Sequence, residues 1–330
     1  IMARIAAAVK KIPSPGLVFL PEMSRNNLYS TEHDRMRFSR LYLPGNTPGL
    51  MINAGLHSAR GLILDLEDSV APDKKEEARL LVRNALRQLD FRGAERMVRI
   101  NQGETGLKDL EAVIPQNVNL VLVPKCESAE QVRKFDDHIA KISKAMKLKN
   151  RVYLMPIIET ASGVENCYTI ASASPSVAAL AIGLEDLTAD MGVQRTAEGT
   201  ESLYARSRLV MAAKAAGIQA IDSVFSDVSD LDTLRKVVIQ SKALGFEGMG
   251  CIHPRQIRII NDGYAPDSTE IDKACRIDMA FREALEKGLG VVALGTKMID
   301  APVVARAGRT IETAVKLGLL PDNWRESSGR

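Results

Sequence analysis

After a polar, proline-containing lead of about 38 residues, short apolar runs alternate with amphipathic stretches as far as residue 262. The runs at 40–43, 61–66, 97–101, 120–124, 152–158, 178–183, 218–222 and 248–252 predict eight strands. Most are continuously apolar, which is the pattern of parallel strands buried on both faces. The stretches between them carry helical periodicity. Residues 73–89 begin just after Pro72, place Glu76 and Glu77 in the first turns, and space Ala78, Leu81, Ala85 and Leu89 on one face. Further helices are predicted at 129–145, 202–216 and 230–244, with Gly217 and Gly245 as C-terminal stops.

Eight strands alternating with helices, without a long linker, most simply close into an α/β fold of the (β/α)8 barrel type. A doubly wound open sheet is the alternative. No G-x-G-x-x-G or G-x-x-x-x-G-K-[ST] follows a predicted strand, which removes support from its nucleotide-binding forms. Gly288-Leu289-Gly290 follows a helical stretch and reads as a loop. The expected organisation is an N-terminal extension (1–38), a catalytic barrel (39–262) and a helical C-terminal segment (263–330). That last segment has helices at 271–287 and 303–316, joined by a glycine-rich turn, and must pack on the barrel or on a neighbouring subunit.

Composition narrows the function classes. The 330 residues are 45% hydrophobic and 26% charged, which excludes a disordered or fibrous chain. Apolar runs fall short of the ~20 residues of a membrane-spanning helix. With a formal charge of +3, 4% aromatics and no basic block, nucleic acid is not an expected partner. The mild positive balance suits an acidic small molecule. The four cysteines form no C-x-x-C pair and the four histidines no H-x-x-x-H, so a structural zinc site is not expected. Sparse cysteine fits a reducing compartment, with the cytoplasm preferred to the mitochondrial matrix. Residues 1–21 hold Arg4, Lys10 and Lys11 and no acid; they read as an extension, with a transit-like segment as the alternative.

In a barrel of this kind the active site lies at the C-terminal ends of the strands. The polar residues there are Asp65, Glu67 and Asp68 after strand two, Arg99 and Asn101 at strand three, and Lys125 and Glu127 after strand four. Glu159 follows strand five, Glu185 and Asp186 strand six, Asp222 strand seven and His253 strand eight. Acids outnumber bases, and a divalent cation is the usual offset. Glu159 and Asp186 end consecutive strands and are hard oxygen donors suited to magnesium; the alternative is that both are solvated loop acids. Arg99 could neutralise Asp65 or Glu67, or could hold a substrate carboxylate through its planar fork. His253 could be a general base or a structural donor. The run Lys74-Lys75-Glu76-Glu77 reads as a solvated helix face.

Taken in order, these segments resemble the citrate lyase beta-subunit-like family, the citramalyl-CoA and malyl-CoA lyase branch of the pyruvate/phosphoenolpyruvate barrel superfamily. The matching pieces begin with Leu43-Pro44-Gly45-Asn46, the Leu64-to-Pro72 segment, Lys74-Lys75 and Glu77-Ala78-Arg79. Arg99-Ile100-Asn101, Val123-Pro124-Lys125, Ile158-Glu159-Thr160-Ala161 with Gly163, and Gly183-Leu184-Glu185-Asp186-Leu187 follow. Ile252-His253-Pro254 and Met298-Ile299-Asp300-Ala301-Pro302 complete the set. The resemblance implies a Mg2+ ion held by Glu159 and Asp186, with Asp65 and Glu67 supporting its waters. It implies catalytic roles for Asp300, Arg99 and Glu67: Asp300, which by its residues alone reads as the N-terminal cap of the helix that follows, exchanges a proton with the acetyl methyl carbon, and Arg99 grips the carboxylate of a 2-oxo acid. Tyr42, Asp65, Ile252 and His253 would contact the thioester substrate, with Tyr42 near the CoA part. It also implies a homotrimer in which the C-terminal segment reaches over a neighbouring subunit. One departure stands out: many relatives carry bases after Pro-Gly-Asn, whereas residues 47–53 here have none. That leaves an acyl-carrier-protein thioester open beside CoA.

The expected activity is a magnesium-dependent carbon–carbon lyase cleaving citramalyl-CoA, malyl-CoA or a citryl thioester to an acetyl thioester and a 2-oxo acid. The alternatives are a beta subunit acting on carrier-bound citryl, an aldolase of free hydroxy acids and, outside enzymes, a catalytically silent barrel serving as a binding subunit.

Overall fold

A computed structural model describes residues 30–196, 198–295 and 297–327. Eight parallel strands run in the order β7-β6-β5-β4-β3-β2-β1-β8. They are β1 (Ser39–Pro44), β2 (Gly61–Asp65), β3 (Glu95–Arg99), β4 (Leu120–Val123), β5 (Tyr153–Ile158), β6 (Ala179–Ile182), β7 (Gln219–Ile221) and β8 (Met249–Cys251). A bridge between Asp222 and Met249 joins the two ends of this order. The sheet is therefore a (β/α)8 barrel, and every strand predicted from the apolar runs is present.

The strands look uniformly apolar because their two faces meet different apolar layers. Ile63, Met97, Leu120, Leu122, Met155, Ile157, Ala181 and Ile221 fill the barrel interior. Their neighbours Leu62, Leu64, Val98, Val121 and Val123 point outward into the layer beneath the helices. Each such fully buried Leu, Val or Ile contributes roughly 1.5–3 kcal/mol. The helix Lys75–Gln88 turns Ala78, Val82, Ala85 and Leu86 inward, and its buried Arg79 donates to Asp109 at 2.6 Å. Gly245 caps the helix Leu231–Leu244, and Gly217 closes the one before it, with φ of +106° and +72°. Beyond the expected helices, Gly103–Val113 and Pro254–Tyr264 also cover the barrel.

The N-terminal end of the barrel is shut by charge. Buried Arg37 donates to both carboxylate oxygens of Glu95, at 2.8 and 2.9 Å, and to Gln219 Oε1 at 2.7 Å. Residues 30–38 of the expected extension thus pack against the barrel, and residues 1–29 lie outside the described residues. In the C-terminal segment the helices Ser268–Glu286 and Ala301–Lys316 share a separate apolar cluster with Trp324. The glycine-rich stretch between them is a hairpin, Val292–Leu294 against Lys297–Ile299, where the sequence predicted only a turn. Among the described residues no helix is long and apolar enough to cross a membrane.

Candidate active site

The C-terminal ends of the strands surround a cavity of about 300 Å3. Its lining includes Arg40, Tyr42, Asp65, Arg99, Glu159, Asp186, Asp222 and Ile252. Small residues keep it open: Ala181 and Gly183 face it from β6 and its exit, and Gly250 from β8. A Cβ at Gly250 would stand 2.7 Å from Val224 Cγ1 and 3.1 Å from Tyr42 Cε2. Glycine inside a strand marks such a close approach.

At one side of the mouth, Arg99 holds Asp65 through a two-pronged pair, Nε to Oδ1 and Nη2 to Oδ2, both 2.7 Å. Its Nη1 lies 3.1 Å from Glu67 Oε2 and 3.6 Å from Asp68 Oδ2. Of the two roles open to Arg99 in the sequence, the structure shows the pairing with acids. Burial alone would raise the Asp65 carboxyl. The Arg99 guanidinium, together with the Ser69 side chain and the Glu67 N–H, outweighs it and holds Asp65 below the usual carboxylate range. Arg99 also sits over the Tyr42 ring, 5.3 Å from its centroid. The solvated-face expectation for Lys74 and Lys75 needs correction at Lys75. Its Nζ donates to the carbonyls of Leu66 and Glu67 at 2.9 and 2.5 Å, tethering the loop that carries the acids.

Across the mouth, Glu159 is buried and Asp186 half-buried. Glu159 Oε2 accepts the Lys125 N–H at 2.8 Å. Burial, helped by the nearby Glu67 and Asp186 charges, pushes its carboxyl up to about 7. The Lys125 ammonium lies 3.4 Å from Asp186 Oδ1, 3.5 Å from Glu67 Oε1 and 3.6 Å from Asp68 Oδ1. One cation thus stands among three carboxylates. Lys125 reaches this position from a left-handed backbone, φ +45°, which is costly for a residue with a Cβ.

The donor set fits magnesium. Glu159 and Asp186 supply hard oxygens, and the buried Glu67 Oε2 has an ionic neighbour but no hydrogen-bond donor. Gly183 forms a cradle for Glu159: a Cβ there would stand 2.5 Å from Oε1 and 2.7 Å from Cγ. Among the described residues no group of three or more His, Cys, Asp or Glu is disposed to enclose a metal. Two carboxylates are nevertheless the usual protein share of a magnesium site, the remainder being water and substrate oxygens.

The structure brings Tyr42, Asp65, Glu67, Arg99, Glu159, Asp186 and Ile252 together at the mouth or in the cavity. His253 lies just outside the lining, and its Nδ1 accepts the Arg255 N–H at 3.1 Å as the cap of the helix Pro254–Tyr264. Asp300 is also outside the lining of its own chain's cavity. Its Oδ1 accepts the Val303 N–H at 3.1 Å, capping the helix Ala301–Lys316. Sequence reasoning gave no site role to Lys125, Gly183 or Arg40. A base at a strand end otherwise rich in acids was the available signal for Lys125. For Arg40 it was a charge inside an apolar run.

A family model described as HpcH/HpaI aldolase/citrate lyase matches residues 39–254, from the first strand into the start of the last barrel helix. The chain belongs to that family. Within the aldolase/citrate lyase family it is 36% identical over 285 residues to the citrate lyase subunit beta of Leuconostoc mesenteroides subsp. cremoris, covering 86% of this chain and 94% of that one. It is 32% identical over 325 residues to the mitochondrial citramalyl-CoA lyase of Homo sapiens, covering 94% and 95%. Among solved structures it resembles CitE from Mycobacterium tuberculosis in complex with magnesium, acetoacetate and coenzyme A. That match has a TM-score of 0.72 and 31% identity, and covers 86% of this chain and 99% of that one.

Proposed function

We propose that this family member is a magnesium-dependent carbon–carbon lyase cleaving a 3-hydroxyacyl thioester to an acetyl thioester and a 2-oxo acid. The observation that carries this reading is the meeting of Glu159 and Asp186 at Lys125, whose backbone N–H donates to Glu159 and whose ammonium lies beside Asp186, at the mouth of a cavity of ligand size. Glu159 and Asp186 would hold the ion, and Asp65 and Glu67 would orient its waters. Magnesium, when bound, supplies Lewis acidity to the hydroxyl and carboxylate oxygens of the departing 2-oxo acid. Arg99 places a fixed positive charge beside those oxygens and, exchanging part of its pairing with Glu67, holds the carboxylate next to the carbonyl. Tyr42 and Ile252 form apolar walls against which the acyl chain lies.

Breaking the carbon–carbon bond turns the substrate hydroxyl into the carbonyl of the 2-oxo acid, its proton passing to Glu67 by way of the water that Glu67 would orient, and leaves a thioester enolate whose terminal carbon an acid must protonate. Asp300 is assigned that proton, delivered to the cavity of a second copy of the chain. Two features support delivery in trans: Asp300 does not line its own cavity, and the segment around it exposes Leu289, Val291 and Met298. A homo-oligomer, of trimeric form by resemblance, is part of this reading. So is a reducing, cytoplasmic setting, in keeping with the unpaired and buried Cys126, Cys167 and Cys251.

A carrier-protein thioester is the second reading for the acyl donor. It is favoured by residues 47–53, which follow β1, lack a base and leave Leu50 and Ile52 exposed, with Leu56 exposed just after them. Both readings are tested by incubating the purified chain with citramalyl-CoA, malyl-CoA, citryl-CoA and a citryl carrier protein, with magnesium and with a chelator. Magnesium-dependent release of an acetyl thioester is expected from at least one. Release that is indifferent to the chelator, or absent from all four, overturns the proposal.

A further inference from the structure

Two arginines within four residues are almost fully buried, and their surroundings are opposite. Arg37, 0% exposed, is neutralised by the two oxygens of Glu95. Arg40, 1% exposed, points from β1 into the barrel interior and lines the cavity. Its guanidinium donates to the Met155 thioether at 2.9 Å, and its Nε has no hydrogen-bond partner. Among the described residues no carboxylate pairs with it, whereas Arg37, Arg99 and Arg206 each have an acid in contact. A thioether is a weak acceptor, and an uncompensated guanidinium in a dry interior is among the costliest groups a core can hold.

The neighbouring strands present no side chain of their own at the level of this charge, and Met97, Val224 and Tyr42 lean into the space that leaves. In register with Arg40 stand Gly61 on β2 and Gly250 on β8. Arg40 lies one inward-facing position below Tyr42, about 7 Å along the strand. Tyr42 in turn lies beneath Arg99, whose fork is already committed to Asp65 and whose third nitrogen is beside Glu67. The cavity therefore holds one paired guanidinium at its mouth and one unpaired guanidinium at its floor. Desolvation acts on the latter to lower its proton affinity, the expected state of a buried cation without a counter-charge.

We propose that Arg40 is a specificity-determining residue that receives a second carboxylate on the oxo-acid half of the substrate. The preferred departing group is then a 2-oxo dicarboxylate rather than an oxo acid ending in a methyl group or hydrogen. This inference rests on the lyase reading for the identity of the reaction. It rests on Arg40 alone for the second anionic group.

The test compares the full chain with Arg40→Met, an unbranched apolar replacement of similar reach, and with Arg40→Lys. Oxaloacetate and pyruvate are titrated into each by calorimetry in the presence of magnesium, and each protein is melted without ligand. The wild type is expected to bind oxaloacetate more tightly than pyruvate. Arg40→Met should lower the oxaloacetate-to-pyruvate affinity ratio on the order of 100-fold, as expected for losing one partner of a buried charge pair. Arg40→Lys should recover part of that ratio. Arg40→Met should also melt no lower than the wild type, because it removes an uncompensated charge. An unchanged ratio overturns the proposal, and so does an Arg40→Met protein that fails to fold, since either makes Arg40 a structural residue. A wild type that cleaves a hydroxyacyl thioester yet shows no dicarboxylate preference overturns the Arg40 assignment alone. One that selects the dicarboxylate but cleaves none of the thioesters supports the assignment and overturns the lyase reading.

Discussion

Arg99 and Asp65 face each other across adjacent strands in register, joined by two parallel hydrogen bonds of 2.7 Å. The pair fixes the guanidinium plane over Tyr42 and leaves Nη1 toward Glu67. A lysine can keep the charge but cannot reproduce the fork. Arg99→Lys is therefore expected to cost at least tenfold in kcat/KM. Arg99→Ala, which leaves buried Asp65 and Glu67 without their cation, should also lower stability by about 3–5 kcal/mol. Steady-state kinetics and denaturant melts check the two arms. An Arg99→Lys enzyme with parental kinetics would make this arginine structural only.

Asp186 is half exposed and makes no hydrogen bond that the barrel depends on, so Asp186→Ala should fold normally. Its expected defect is the loss of the thermal stabilisation that magnesium gives the parent, together with loss of turnover. A variant still stabilised by magnesium to the same degree would place the ion elsewhere.

Gly183 tests the same site through the backbone. A methyl group there would meet Glu159 Oε1 at 2.5 Å, so Gly183→Ala must push that carboxylate off its position. We expect magnesium affinity to fall at least tenfold, with a smaller change in stability, typically about 1–3 kcal/mol for overpacking. Calorimetric titration of magnesium reads the first and a thermal melt the second. Unaltered affinity would remove Glu159 from the ligand set.

Asp300 caps a helix in its own chain, and asparagine caps equally well. Asp300→Asn should therefore leave the melting temperature nearly unchanged. If Asp300 is the proton carrier, exchange of the acetyl-CoA methyl protons with solvent should fall by about 10²–10⁴-fold. Survival of that exchange would leave Asp300 with its capping role alone. Mixing Asp300→Asn with Asp186→Ala subunits adds a test of delivery in trans, since mixed oligomers should regain activity that neither parent shows.

Acid should loosen the C-terminal segment before the barrel. Burial raises the Asp278 carboxyl, but hydrogen bonds from Arg325 and Arg282 outweigh it and hold the group below its ordinary value of 3.8. A depressed folded-state value contributes stability above the unfolded value and loses it as pH falls through the folded one. Trp324, the single tryptophan, is buried beside Arg325 and reports the change. Its emission should shift to the red as pH falls below about 3.8, and Asp278→Asn should show the shifted spectrum already at neutral pH. A flat profile in the parent would show that these ion pairs do not hold the segment.

The amino-acid sequence determined the barrel, because strands buried on both faces must be apolar throughout and helices covering them on one face must not be. It also determined the height of Asp65, Glu67, Arg99, Glu159 and Asp186, since residues that end successive parallel strands arrive at the same rim. The helix Gly103–Val113 was not legible, because Gly103 and Gly106 weaken its pattern. Gly106 is there because of close packing: a Cβ would stand 2.1 Å from the Asn101 carbonyl oxygen just before the helix and 3.2 Å from Phe135 Cε1 of the next one. Tertiary structure alone decided the partners. It gave Arg99 to Asp65, set Lys125 among three carboxylates, left Arg40 without one, and held Asp300 away from the cavity of its own chain. Local pattern fixes which face a side chain takes. Whether the charges of Arg99 and Lys125 are neutralised depends on residues 31 or more positions away, which only the closed barrel brings within ion-pair distance.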